Sequence, residues 1–163
     1  MIAVLKKNIR LFGHMRFKLK CLFILNFFLC GIARAMIHLF PLRYLAPYFG
    51  TFYKNTIFST LLTRPQHNHA IQLRRSIALA AKYTPWDSNC LTQAMVAKFW
   101  CNCLNIPYVF YIGFAKDEDK PHGYASHAWI TAGSVAITGG HSFPSFKVVS
   151  SYAPQKLLLE HAL

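Results

Sequence analysis

The stretch that decides the fold opens with Thr84-Pro-Trp-Asp-Ser-Asn-Cys90-Leu-Thr-Gln-Ala94 and closes with Ser126-His127-Ala-Trp129. Residues 87–89 are Asp, Ser and Asn, which all favour the N-cap of a helix, and Pro85 ends any helix that precedes them. The pattern therefore predicts a helix from about Cys90 to Leu104, with the cysteine in its first turn. His127 falls in the segment 125–132, which we predict to be a strand.

A cysteine that begins a helix and a histidine in a strand beside that helix are typical of nucleophilic catalysis. The unpaired amides and the dipole of a helix N-terminus favour a thiolate, and the same amides can receive an oxyanion. A histidine within hydrogen-bond reach takes the thiol proton and later gives it to the leaving amine. We therefore predict Cys90 as the nucleophile and His127 as the base of an acyl-transfer reaction.

Both residues also have a structural interpretation. A free cysteine is more often a buried core residue than a nucleophile, and a single histidine in a strand is more often structural. A metal site is disfavoured because a Cys-x-Cys pair inside a helix splays its two thiols apart. We predict neither a metal nor another cofactor; the metal ligands we considered are Cys101, Cys103, His122 and His127.

Outward from this stretch, the sequence predicts helices first and strands afterwards. Apolar residues recur at helical spacing from Asn68 to Tyr83, and an apolar run from Cys21 to Ala33 continues as a helix until Pro41. Residues 51–64 show no clear pattern, and we predict that they form mainly a loop. Aromatic and β-branched residues predict strands at 108–114, 125–132, 135–138 and 146–149. The fold class is therefore α+β, with N-terminal helices followed by a small antiparallel sheet.

We divide the 163 residues into an N-terminal helical arm, 1–66, and a catalytic domain, 67–163. The apolar run in the arm has about 13 residues before Arg34, fewer than the roughly 20 that a spanning helix needs. A buried or interfacial helix is therefore our first interpretation, and a tilted membrane span or a cleaved signal peptide are the alternatives.

The chain is strongly basic and rich in apolar residues. Its formal net charge is +13, its hydrophobic fraction is 54%, and no carboxylate precedes Asp87. Such a charge attracts nucleic acid, an anionic lipid surface or an acidic peptide. No nucleic-acid-binding motif is evident, so we predict no nucleic-acid partner but allow contact with a membrane surface. The five cysteines are an odd number, which favours a reducing, cytoplasmic setting.

The motifs Thr84-Pro-Trp, Cys90-Leu and Ala125-x-His127-Ala-Trp129 resemble those of the transglutaminase-like leader peptidases of lasso-peptide biosynthesis. The apolar helix that ends at Pro41 is similar to that family's N-terminal helix, so the resemblance extends over about residues 20–152. It implies a papain-like or transglutaminase-like core. It also implies a cysteine protease that removes the leader from a ribosomally made precursor peptide before a separate, ATP-dependent cyclase closes the macrolactam ring.

The resemblance assigns Cys90 as nucleophile and His127 as base, but it leaves the third catalytic member open. The family commonly has a carboxylate about 12 or 13 residues after the histidine, whereas this chain has Gly139 and Gly140 there. Thr138 is our candidate to orient the imidazole, through its hydroxyl or its backbone, and His141 is a weaker one. An inactive copy of the enzyme is the alternative.

Some members of that family also carry a leader-recognition domain. The roughly 20 residues before the apolar helix are too few for such a domain. We therefore expect a separate leader-recognition protein as a partner. Two other functions stay open: a transglutaminase-like acyltransferase on the same fold, and a non-catalytic basic protein that binds an anionic membrane or nucleic acid.

Overall fold

The computed structural model of the protein describes residues 17–119, 123–140 and 145–154. These residues form four α-helices, α1 (Phe17–Leu39), α2 (Leu42–Leu45), α3 (Arg64–Tyr83) and α4 (Cys90–Cys103), and a 3-10 helix at Ala46–Phe49. They also form five strands, β1 (Thr51–Phe52), β2 (Val109–Lys116), β3 (Tyr124–Ala132), β4 (Val135–Ala136) and β5 (Lys147–Ala153). The predicted α+β class is confirmed.

The helix ends follow local sequence signals. Helix α4 begins at Cys90, as predicted, because the Asn89 side chain accepts a hydrogen bond from the backbone N–H of Thr92. Helix α3 begins four residues before the predicted Asn68, because Thr63 and Gln66 form a capping box. In the sequence that box is Thr63-x-x-Gln66, and because the next three residues are polar, the apolar spacing does not reveal it.

All the strand pairs in the described residues are antiparallel, and the sheet order is β1-β5-β2-β3-β4. The sequence placed residues 51–64 in a loop, which is wrong for β1, where Thr51 pairs with Ala153. A strand of two residues is too short to show alternation, so only its long-range pairing defines it. Strand β5 is longer than predicted and lies between β1 and β2.

The sheet has a different apolar cluster on each face. On one face Ala128, Ile130 and Ala132 of β3 belong to the main core cluster, together with buried residues of the helices. On the other face Trp129 joins a smaller cluster with Val109, Tyr111 and Val148. The two clusters follow from the two-residue period of a strand, which sends neighbouring side chains to opposite faces.

Helix α1 packs against α3 and α4, and its residues Cys30 and Ala33 belong to the main core cluster. The polar side chain of Asn26 is fully buried in this contact. Its Nδ2 donates to Ser76 Oγ at 3.0 Å, and its Oδ1 accepts from Trp100 Nε1 at 2.7 Å. The domain boundary between residues 66 and 67 stays a prediction. Helix α1, which precedes that boundary, packs against α4, which follows it.

All five cysteines are free thiols. Cys30 and Cys101 are buried, Cys21 and Cys103 are exposed, and Cys90 is half-buried. In the part of the chain that the structure describes, no group of three or more His, Cys, Asp and Glu side chains is placed to hold a metal ion. His122, which belonged to the metal set considered above, lies outside the described residues.

Candidate functional site

The loop of residues 84–89 leads directly into Cys90, and hydrogen bonds within the loop and from α4 stabilise its conformation. Thr84 Oγ1 lies 2.7 Å from Ser88 Oγ and within hydrogen-bond distance of the carbonyl oxygens of Ala81 and Trp86. Gln93 reaches back from α4, and its Nε2 donates to Ser88 O at 2.8 Å. The conformation of the loop is therefore fixed on both sides of the turn that leads to the cysteine.

The first turn of α4 presents free amide groups next to the thiol. The first main-chain hydrogen bond of the helix runs from Gln93 N to Asn89 O, and the N–H of Thr92 is bonded to Asn89 Oδ1. The N–H groups of Cys90 and Leu91 precede these bonds and have no acceptor within the helix. An anion that forms beside Cys90 would meet two amide donors and the positive end of the helix dipole.

Helix α1 packs on the same loop from outside. The Trp86 ring lies 5.0 Å from the Phe27 ring, and an added Cβ at Gly31 would lie 2.9 Å from Trp86 Cζ2. A side chain at position 31 would therefore displace the indole. Arg34 forms an ion pair with Asp87, at 3.6 Å from Nη2 to Oδ2.

A buried thiol also contacts the loop. Burial raises the pKa of Cys30, and a hydrogen bond with Ser88 partly opposes that increase. Cys30 is therefore held as a neutral thiol under the loop, which makes it a packing residue rather than a nucleophile.

His127 lies on the aromatic face of the sheet. Its imidazole stacks on Trp129, with ring centroids 5.6 Å apart, and on Phe146, with centroids 4.9 Å apart. Its partner in the β2–β3 register is Gly113, where the absence of a side chain leaves room for the neighbouring Trp129 ring, which would lie 2.9 Å from an added Cβ. The two aromatic rings limit the rotation of the imidazole.

The nearest polar partner of the His127 ring is a main-chain carbonyl. His127 Nε2 lies 3.4 Å from Gly139 O. Gly139 has a φ of +69°, and a Cβ built on it would lie 2.6 Å from His127 Nε2. The position where the family commonly has an acid therefore contacts the imidazole through its backbone, and it tolerates no side chain.

Thr138, our predicted orienting residue, is buried next to this contact. Its Oγ1 accepts a hydrogen bond at 3.1 Å from the N–H of Ile130. The Thr138 hydroxyl thus accepts a main-chain hydrogen bond from β3. The contact to the imidazole comes instead from the next residue, Gly139. The role of Thr138 in orienting His127 stays a prediction, and His141 lies outside the described residues.

The structure places Cys90 and His127 on two elements that pack against each other. Helix α4 packs against β3, and Cys90 contacts the main core cluster, whereas His127 shares its face with Trp129. The thiol and the imidazole share no hydrogen bond. Strand β4 pairs only with residues 131–132, so in the described residues no strand covers the edge of β3 beside His127.

A cavity of about 430 Å³ lies on the same aromatic face as His127, which is not itself a lining residue. Trp129 and Phe146, which stack on His127, also form part of its wall. Pockets of this size accommodate small ligands and large side chains. Its remaining lining residues are mostly apolar or small, and they include Ile57, Phe58, Tyr111, Thr131, Ala136 and Val148.

The sequence did not reveal three residues of this site. Gly139 acts through a carbonyl that every residue possesses, so its type carried no signal for a polar contact. Phe146 meets His127 only because β5 is placed in the sheet next to β2. Gln93 lies one residue beyond the capping-box position of α4 and donates to a carbonyl, so the capping-box pattern does not predict its bond to Ser88.

Comparison with known proteins agrees with the fold. Residues 36–151 match the family model described as Transglutaminase-like superfamily. No curated protein and no solved structure matches the chain. The matched range includes Cys90, His127 and Thr138, and the superfamily generally contains enzymes of the cysteine-protease type. The match gives no indication of lasso-peptide biosynthesis in particular. It covers most of the chain, and this protein therefore belongs to the transglutaminase-like superfamily.

Proposed function

We propose that this protein is a cysteine peptidase that removes the leader from a ribosomally made lasso-peptide precursor before macrolactam closure. The observation that carries the proposal is the placement of Cys90 in the first turn of α4, beside two free amides, in a transglutaminase-like domain. The Pro-Trp, Cys-Leu and His-Ala-Trp motifs, with their resemblance to the leader peptidases, favour this substrate over other peptides.

The proposed reaction uses one proton carrier and two amide donors. His127 takes the proton from the Cys90 thiol, and the thiolate attacks the carbonyl carbon of the scissile peptide bond. The N–H groups of Cys90 and Leu91 stabilise the oxyanion. The C–N bond then breaks, and the imidazolium gives its proton to the leaving amine. Water hydrolyses the thioester, which releases the leader and restores the thiol.

The Gly139 carbonyl takes the orienting role in this proposal. A carbonyl oxygen only accepts hydrogen bonds, so its contact at 3.4 Å favours the tautomer of His127 with a proton on Nε2. Nδ1 is then the nitrogen that receives the thiol proton. A neutral acceptor suffices because the usual acid holds the tautomer and the ring orientation.

Substrate binding would bring the thiol and the imidazole together. Catalytic hydrogen bonds are often long in unliganded enzymes and shorten in the substrate complex. An apolar side chain of the precursor that enters the cavity on the aromatic face would lie against Trp129 and Phe146. The scissile bond would then lie at the edge of β3 beside His127.

The partners follow from the same proposal. A separate recognition protein would deliver the leader, and the ATP-dependent cyclase would use the freed core peptide. The formal net charge of +13 makes an acidic leader or an acidic face of the recognition protein the complementary surface.

The decisive experiment is reconstituted leader removal, followed by mass spectrometry. Wild-type protein is mixed with a lasso-peptide precursor and a leader-recognition protein, and compared with Cys90→Ala and His127→Ala variants. Cys103→Ala is the matched control, because Cys103 is exposed at the other end of the same helix. We expect cleavage by wild type and by the control only. Normal cleavage by Cys90→Ala would exclude the mechanism.

A second experiment tests the dyad without any substrate. Iodoacetamide alkylates thiolates, so its rate at each cysteine, mapped by peptide mass spectrometry, reports nucleophilicity. Cys21 and Cys103 are exposed and serve as references within the same molecule. We expect Cys90 to react faster than both at pH 7, and His127→Ala to remove that advantage. Equal rates at all three cysteines would argue against an activated thiol.

An acyltransferase is the second candidate, because acyltransferase-like activity also fits the transglutaminase-like domain. The two reactions share the thioester and differ in what attacks it. Added hydroxylamine should give a hydroxamate of the leader if amines are the natural acceptors, and free acid if water is. A product that is mainly free acid at millimolar amine supports the peptidase.

A further inference from the structure

The outer face of α1 is an exposed apolar stripe. Phe28 is 60% exposed and Ile32 is 58% exposed, although each side chain is large and apolar. The exposed positions follow helical spacing along the whole helix. The stripe contains no charged residue and consists of Phe17, Cys21, Ile24, Leu25, Phe28, Ile32, Ala35 and Leu39.

The inner face of α1 fixes this helix to the rest of the molecule. Asn26 joins Ser76 of α3 to Trp100 of α4 through its two hydrogen bonds. By length and composition, Leu19–Leu39 is apolar enough to cross a membrane. Crossing would remove Asn26 from its partners and would uncover Cys30 and Ala33, which belong to the main core cluster. The packing thus favours a helix that stays in the domain.

Positive charge accompanies the stripe. At 100° per residue, Lys20 and Arg34 fall along one flank of α1, beside the apolar face, and Arg34 is also ion-paired with Asp87. The sequence before the helix is also basic, since six of the first 20 residues are Lys or Arg, and Asp87 is the first carboxylate in the chain. An apolar face with a cationic edge matches the boundary between acyl chains and anionic headgroups.

Two shallow hollows lie between α1 and α4, one towards each end of α1. The first, of about 350 Å³, is lined by Phe17, Cys21, Leu22, Leu25 and Trp100. The second, of about 500 Å³, includes Met36 of α1 with Met95 and Phe99 of α4. Apolar side chains form most of both walls, although the second hollow also includes Lys98 and Asn102, so the apolar surface continues from α1 towards α4.

We propose that α1 is an interfacial helix that docks the protein on an anionic membrane. The helix lies in the membrane plane with the stripe from Phe17 to Leu39 inserted among the lipids, and its inner face stays packed on α3 and α4. Because Phe27, Gly31 and Arg34 contact the loop that carries Cys90, docking holds the candidate site close to the membrane surface. The proposal is independent of which substrate the site cleaves.

Vesicle flotation with the full chain tests the proposal. The probes are vesicles of phosphatidylcholine alone and vesicles with about one third phosphatidylglycerol. We expect binding to the anionic vesicles, weaker binding to neutral ones, and weakening by salt. The variant Phe28→Glu/Ile32→Glu should lower the partition coefficient by at least about tenfold, because two apolar anchors are lost.

The matched control is Ile57→Glu/Leu61→Glu. These two residues are 74% and 86% exposed and lie outside α1, so the control makes the same change in net charge on a different surface. We expect it to retain most of the binding. A second variant, Phe28→Ser/Ile32→Ser, removes the anchors without adding charge and keeps the test valid if the glutamates perturb folding. Equal loss in the α1 variants and the control would overturn the proposal.

Two further measurements distinguish interfacial docking from a membrane-spanning helix and from dimerisation through the stripe. Alkaline carbonate should release the bound protein, and retention would indicate a spanning helix instead. Sedimentation velocity without lipid should give a monomer. A stable dimer that Phe28→Glu/Ile32→Glu dissociates would assign the stripe to a second copy of this chain. Either result would overturn interfacial docking.

Discussion

The carbonyl oxygen of Gly139 lies 3.4 Å from Nε2 of His127. The same residue has a φ of +69° and no room for a Cβ, which would fall 2.6 Å from that nitrogen and 2.7 Å from Trp129 Cβ. Glycine is thus required at this position for its conformation and for the close approach of the backbone to the imidazole. Gly139 therefore explains both observations: it leaves no space for an acidic side chain, and its carbonyl provides the polar contact to His127.

Gly139→Ala should reduce activity more than stability. The added Cβ pushes the imidazole away from its orienting carbonyl, and misplacement by about 1 Å costs roughly a hundredfold in rate. The positive φ adds about 1 kcal/mol of strain. The measurement is the rate of leader removal, or of Cys90 alkylation, together with the free energy of unfolding.

Gly123→Ala is the control for Gly139→Ala. Gly123 has a φ of +70°, and no atom of the described residues lies within 4 Å of an added Cβ. It therefore introduces a similar backbone strain without the collision. We expect a similar loss of stability from strain but an unchanged rate. If both variants slow the reaction equally, the contact between Gly139 and His127 has no role.

Thr138→Val should lower the free energy of unfolding. The valine leaves the buried N–H of Ile130 without the acceptor that Thr138 Oγ1 provides at 3.1 Å, which costs about 1–3 kcal/mol. Thr138→Ser keeps the acceptor and should lose less. Urea unfolding gives the free energies. A large fall in rate per folded molecule with valine, rescued by serine, would instead assign the orienting role to the Thr138 hydroxyl.

Gly31→Val should disturb the loop that carries Cys90. An added Cβ at Gly31 would lie 2.9 Å from Trp86 Cζ2, so the indole must move, and crowding of this kind costs about 1–3 kcal/mol. We expect slower alkylation of Cys90 as the loop shifts. Ala35→Val, on the exposed face of α1, changes helix propensity without the collision and should leave that rate unaltered. Equal effects of both variants would contradict the contact.

The protein should lose stability above pH 9 because of Cys101. Burial raises the pKa of this thiol from 9.0 to about 12. A raised pKa means that the folded state binds the proton more tightly, so the stabilisation is complete below pH 9 and is lost as the pH rises towards 12. The slope from this group is at most about 1.4 kcal/mol per pH unit.

Urea unfolding at pH 8, 9.5 and 10.5 measures this slope in the wild type and in Cys101→Ala. The variant should start lower, because a buried side chain is truncated, and should decline less steeply. Tyr108 remains in both proteins, and its pKa is raised first by burial and then by the charge of Cys101, so the variant keeps the part of the decline that comes from Tyr108 burial. Parallel curves would show that Cys101 does not titrate in this range.

The sequence by itself determined the parts of this protein that depend on neighbours in the chain. Asn89 caps α4 and Pro41 follows the end of α1, because capping and proline geometry act within a few residues. The α+β order and the superfamily motifs around Cys90 and His127 were also readable. So was the lack of a carboxylate at positions 139 and 140.

Only the tertiary structure decided the contacts that join distant segments. The β1 pairing, the stacking of Phe146 on His127, the Asn26 hydrogen bonds and the approach of the Gly139 carbonyl depend on how the elements pack. The same packing left one face of α1 exposed, although both faces are apolar in sequence. The physical reason is that main-chain carbonyls and apolar side chains are everywhere in the chain, so only three-dimensional placement gives one of them a role.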